Sequence, residues 1–190
     1  DNKKQNIMNG LEKDVLTAIL PLADEAGVQV QGVEKGDTIP IGSGMKLKVL
    51  APAAPESIEA ARLQSNRRGS NAHSLIMRLS VANGFSMLLT ADCDRQGEQE
   101  LLSSGQLLQA DILRAAHHGS NATTGLPFLN AVEPQLALIS VGRNDYGHPA
   151  PALLDRLGQQ SVDLIRTDLQ GAVVIRIFQD HNTVSTWLKN

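Results

Sequence analysis

Three of the five histidines fall in one stretch, Ala110 to Pro149, among residues of the kinds that chemistry uses. His117-His118-Gly119-Ser120 and Asn144-Asp145-Tyr146-Gly147-His148-Pro149 each stand at the end of an apolar run. Imidazoles bind divalent metals or move protons, and glycine lets a ligand come close to the backbone. Ser120 could cap a turn or bond an anionic oxygen. In the histidine pair, one ring could bind a metal while the other contacts substrate or supports the ligand shell. The two rings would point to opposite sides if strand geometry persists through them. Asp92 ends a third run, Leu88-Leu89-Thr90-Ala91-Asp92, where a carboxylate could hold a metal or orient a histidine. It could equally cap the next helix, a place that Asp94 also suits. A Ser-His-Asp triad of Ser120, His148 and Asp92 is available by residue type but lacks a nucleophile-elbow pattern. His73 and His181 read as structural or exposed, and Cys93 as a small buried residue beside the site.

The elements that must position these residues alternate between strand and helix. Asp111 to Ala116, short and mostly apolar, and Leu136 to Val141 read as buried strands. Ser74–Val81 and Phe85–Leu89 read as a hairpin turned at Asn83-Gly84, and Asp94–Ser104 as a helix stopped by Gly105. Pro127 opens a short helix that ends before Pro134, and Pro149 and Pro151 precede another through Leu153, Leu154 and Leu157. Upstream, Leu11–Ala26 carries a helical stripe that Pro21 kinks or divides. Val28-Gln29-Val30 reads as a short strand, Glu34–Pro40 and Met45–Leu50 as a hairpin, and Pro55–Leu63 as a short helix. Gln64–Ala72 is a polar loop whose Arg67 and Arg68 could form a basic lip for a phosphate-bearing substrate or simply a solvated surface. The tail gives strands at Val162–Arg166, Ala172–Phe178 and Val184–Leu188, with a turn at Thr167–Gly171. Together these predict a layered α/β fold in a single domain, residues 1–190, with a leading helical segment (1–27) and a core (28–190).

At 190 residues, with 42% hydrophobic residues, the chain is long enough for one sizeable core. No apolar run approaches the ~18 residues of a membrane span, and the basic start lacks the apolar stretch of a signal peptide. A net charge of −3 argues against a dedicated, electrostatically driven nucleic-acid binder, though not against an enzyme that meets nucleic acid at its active site. One cysteine excludes an internal disulfide and a cysteine-rich zinc site.

An ordered set of motifs carries a resemblance over roughly residues 28 to 178. It comprises Asn71-x-x-Ser74-Leu75, Leu88 to Asp92, Ala110-Asp111-Ile112-Leu113, His117 to Ser120, Ser140-Val141-Gly142, Asn144-x-Tyr146-Gly147-His148-Pro149 and Arg166-Thr167-Asp168-x-x-Gly171. This set resembles the metallo-β-lactamase-like hydrolases of the ComEC type, the C-terminal domains of bacterial DNA-uptake channel proteins and their stand-alone relatives. The resemblance implies an αββα sandwich with two divalent metals, Zn or Mn, between its sheets. It makes Asp92 the bridging carboxylate and His118, ahead of His117, a metal ligand. His117 and His148 become catalytic candidates, with Ser120, Asn144 and Tyr146 on the substrate side. The implied chemistry is attack of metal-activated water on a phosphodiester or other ester, with single-stranded DNA as the expected substrate.

Two departures qualify what is carried over. Ala91 stands where the family usually has Gly, and the family's N-terminal H-x-[HD]-x-D-H signature is absent, since no histidine precedes His73. The chain therefore reads as the C-terminal part of the domain, lacking about 80–100 residues on a domain-size estimate. The expectation is weak or no metal binding and little hydrolase activity in this chain alone. Self-association through the face left by the missing strands is also expected. The parent would be membrane-tethered and partnered with its own channel portion. Alternatives are a stand-alone hydrolase of a small ester, and a non-catalytic DNA-binding or assembly domain.

Overall fold

The structure is a computed structural model that describes residues 13–42, 44–52, 71 and 74–188. After a helix α1 (Lys13–Glu25), a seven-stranded sheet is laid down in chain order, each strand beside the one before it. Its antiparallel half is β1 (Thr38–Pro40), β2 (Met45–Ala51), β3 (Ile76–Val81) and β4 (Ser86–Leu89). Its parallel half continues from β4 through β5 (Ile112–Arg114), β6 (Leu136–Ile139) and β7 (Asp163–Arg166). Between the parallel strands run α2 (Arg95–Ser103), α3 (Leu126–Val132) and α4 (Pro151–Gln159), with the one-turn helix α5 (Thr167–Gln170) after β7. A separate antiparallel pair, β8 (Val173–Ile177) and β9 (Asn182–Thr186), closes the described chain.

The layers follow from alternation along the strands, which sends successive side chains to opposite faces. Leu88, Leu113, Ala137 and Ile139 point to one face, where they pack with Leu101 of α2, Phe128 and Val132 of α3, and Leu153 and Leu157 of α4. Ile112, Leu138 and Phe85 point to the other, against Val173, Ile175 and Ile177 of β8. Helices, seven-stranded sheet and two-stranded sheet thus form three described layers, the α/β class expected. Asn83, at the turn between β3 and β4, joins the two sheets by donating to the Phe178 carbonyl at 2.7 Å.

Several expectations are corrected. Val28 to Val30 is exposed and irregular, with no strand beside it to pair with among the described residues. α1 runs through Pro21 as one helix, and Ile19 and Leu22 of its apolar stripe remain exposed. The Thr167–Gly171 turn is the helix α5. Arg67, Arg68, His73 and the helix expected at Pro55–Leu63 lie outside the described residues. No described helix is long and apolar enough to cross a membrane.

Candidate functional site

Because β4 to β7 are parallel, their C-terminal ends share one edge, where ligands collect in open α/β sheets. After β4 the chain turns at Ala91, which takes the left-handed φ of 46°. Asp94, not Asp92, caps α2, accepting from the Gly97 N–H at 2.9 Å, so the Asp92 carboxylate is left for other contacts. Next to it, burial pushes the Cys93 thiol up to about 12, which makes this cysteine an unreactive packing group.

The strand geometry expected through His117 and His118 does not persist: β5 ends at Arg114. His117, His118 and Gly119 form a short 3-10 turn with successive φ values of 49°, 54° and 86°. Left-handed backbone costs a non-glycine residue roughly 1–2 kcal/mol, so two such histidines in a row must be held by their surroundings. The His117 N–H donates to the Ala91 carbonyl at 3.0 Å, tying the HHGS turn to the one before Asp92. The Ala150 N–H donates to the Gly119 carbonyl at 2.9 Å, tying the same turn to the end of the Asn144–Pro149 loop.

The side chains then converge. His118 Nε2 lies 3.8 Å from Asp92 Oδ1, and its Nδ1 lies 2.7 Å from the Ser140 carbonyl. The His117 ring centroid is 6.4 Å from that of His118 and 5.9 Å from that of His148, both edge-on. Tyr146 stacks on His148 with centroids 6.1 Å apart and is 84% exposed at the rim. Burial, with His117 and His118 nearby, holds the His148 imidazole below its usual range, so it favours the neutral form. His148 Nδ1 is buried with no hydrogen-bond partner among the described residues.

Two residues expected on the substrate side are committed to their own turns. Asn144 donates from Nδ2 to the carbonyls of Gly142 (2.9 Å) and His148 (2.7 Å). Its Oδ1 accepts from the N–H groups of Tyr146 (3.1 Å) and His148 (3.0 Å), so the whole amide braces the loop that seats His148. Ser120 Oγ accepts from the Ala122 N–H at 3.3 Å, and no contact links Ser120, His148 and Asp92 as a triad. His181 is far along the chain in an exposed turn, stacked on Phe178, as its sequence context suggested.

The donor set among the described residues is short of a metal centre. Ligands about 2.0–2.2 Å from one ion stand roughly 3.4 Å apart in tetrahedral geometry, so the 3.8 Å between Asp92 and His118 is near a shared span. No group of three or more His, Cys, Asp or Glu side chains is placed to hold a metal among the described residues. Arg114 Nη1 also lies 3.9 Å from the same Asp92 oxygen. The described residues offer two donors where a catalytic site needs three or more.

The chain is 32% identical over 170 residues to ComE operon protein 3 of Bacillus subtilis, covering 89% of this chain. It is also 36% identical over 132 residues to Competence protein ComA of Neisseria gonorrhoeae, covering 68% of this chain. This chain belongs to the ComEC-type family of competence proteins. Recombination protein 2 of Haemophilus influenzae matches at 32% identity over 114 residues, 60% of this chain. The ComEC-type chain spans only 20%, 18% and 14% of the lengths of these three relatives. No protein-family model matches it. Among solved structures, a protein of Parabacteroides distasonis named as a metal-dependent hydrolase overlays loosely, with a TM-score of 0.48 at 14% identity. The overlay covers 76% of this chain and 60% of that one.

The candidate site has parts to which the sequence reading gave no role. Arg114, the last residue of β5, donates to the Ala91 carbonyl and faces Asp92. Asn71 lies 46 positions upstream of His117 in the chain, yet its Nδ2 is 3.3 Å from His117 Nδ1. Thr167 accepts from the Val141 N–H at 2.8 Å and donates to the Val141 carbonyl at 2.7 Å, which braces the loop after β6. The Arg166-Thr167-Asp168 motif was the signal for Thr167. Its Arg166 guanidinium also holds the Asp168 carboxyl below the usual range.

Proposed function

We propose that this chain is the C-terminal part of a metal-dependent hydrolase domain, a phosphodiesterase or nuclease acting on DNA in a competence DNA-uptake protein. The observation that supports this most is the convergence of Asp92, His117, His118 and His148, from three strand-end loops, on one edge of a rigid sheet. Chains as similar as the competence proteins supply the uptake context. In this reading Asp92 and His118 are metal donors, Zn or Mn being the candidate ions, and His117 and His148 face the reacting group. Tyr146, exposed at the rim, meets the single DNA strand, and Arg67 and Arg68 are candidates for binding its phosphates. The remaining ligands come from residues N-terminal to this segment in a membrane-tethered parent, whose channel portion is the partner.

Metal content and Mn²⁺- or Zn²⁺-dependent cleavage of single-stranded DNA, on this chain and on one extended N-terminally, test the reading. Activity in the extended chain alone, abolished by Asp92→Ala, is the expected result. No cleavage in either, with DNA binding intact, favours a second reading as a non-catalytic DNA-binding module, to which the Arg114 guanidinium beside Asp92 already lends weight.

A further inference from the structure

The adjacent rings of His117 and His118 have different partners at the same atom, Nδ1. His118 Nδ1 faces the Ser140 carbonyl at 2.7 Å. A carbonyl only accepts, so the proton of a neutral His118 sits on Nδ1 and its Nε2 is a bare lone pair, 3.8 Å from Asp92 Oδ1. His117 Nδ1 faces the amide nitrogen of Asn71 at 3.3 Å. An amide NH₂ only donates, so Nδ1 of a neutral His117 is the bare atom and its proton sits on Nε2.

We propose that Asn71 is a positioning residue that fixes His117 as an Nε2–H donor, opposite in tautomer to His118. The pair then offers one lone pair and one N–H from neighbouring residues without adding a formal charge. The lone pair stands beside Asp92, where a cation or a proton must mediate between two acceptors. The N–H of His117 is a neutral donor for an anionic oxygen, and this use of it rests on the phosphodiester reading given above. The carbonyl of Ser140 and the amide of Asn71 come from segments on either side of the histidine pair in sequence. The two assignments are therefore independent of each other.

Long-range proton–nitrogen correlation spectra of the ¹⁵N-labelled chain at about pH 8, above the ordinary imidazole value of about 6.5, read both tautomers directly. His117 is expected to show a protonated Nε2 and His118 a protonated Nδ1. Asn71→Asp, whose carboxylate can only accept, is expected to invert His117 to the Nδ1–H form and leave His118 unchanged. Unchanged amide shifts across the parallel strands β4 to β7 confirm that the variant is folded. An Nδ1–H form of His117 in the unaltered chain, or no inversion in a folded Asn71→Asp, overturns the proposal. Because the spectra need no catalysis, opposite tautomers without DNA cleavage by the N-terminally extended chain would keep this assignment and discard the nuclease. Cleavage with matching tautomers would do the reverse.

Discussion

Gly119 lies so close to Pro149 that a Cβ on the glycine would stand 2.7 Å from the proline Cβ and 3.1 Å from its Cα. The contact presses the HHGS turn directly onto the loop that carries His148, with the Ala150 N–H to Gly119 carbonyl bond beside it. Two loops that reach the site from different strands are therefore held at one spacing by a missing side chain.

Gly119→Ala adds a methyl to that contact and places alanine at a φ of 86°. Overpacking and a left-handed backbone together set an expected loss of about 2–4 kcal/mol. Urea denaturation should show it, and amide hydrogen exchange should show the Ala150 N–H losing protection. A variant as stable as the parent would mean that the loops can part at no cost.

Removing the Asn144 amide should loosen one loop and little else. Asn144→Ala deletes four hydrogen bonds in a half-buried turn, an expected loss of about 1–3 kcal/mol. The exchange rates of the Tyr146 and His148 amides should rise while those of β6 stay as they are. If those two amides exchange as before, the side chain is a substrate contact and not a brace.

Glu98 makes stability depend on pH in an unusual direction. Burial raises this carboxyl above its ordinary value, partly countered by the N–H groups of Gly125 and Thr124 that it accepts. The folded state therefore binds a proton that the unfolded state has already lost, over a window that opens near an ordinary Glu value of about 4.3. Across it, stability is full at the acid end and falls as pH rises to the folded value. Urea midpoints for the parent and for Glu98→Gln at stepped pH should differ by that slope, and parallel curves would refute it.

What the sequence made legible were the features written in local pattern. Leu88 and Leu113 face the helices while Ile112 and Leu138 face the second sheet, and both follow from alternation within each run. Motifs at strand ends were placed correctly because the apolar runs stop where they begin. The left-handed turn at His117 was hidden, because it depends on the Ala91 carbonyl, which only folding brings near. Glu98 reads as a surface residue in a polar helix, since its partners Thr124 and Gly125 lie 26 and 27 positions away. Val28 to Val30 failed for the converse reason: among the described residues its alternation has no neighbouring strand to bond to.

The parallel run of β4 to β7 gives the molecule a working end and a handle. The loops that carry His117, His118 and His148 leave the sheet at one edge. The opposite edge carries Asp111, Gln135 and Asp163 around a cavity of about 840 Å³ that holds none of the candidate site residues. A label, a surface tether or a fused neighbour attached at that edge leaves the approach to Asp92 and His148 clear.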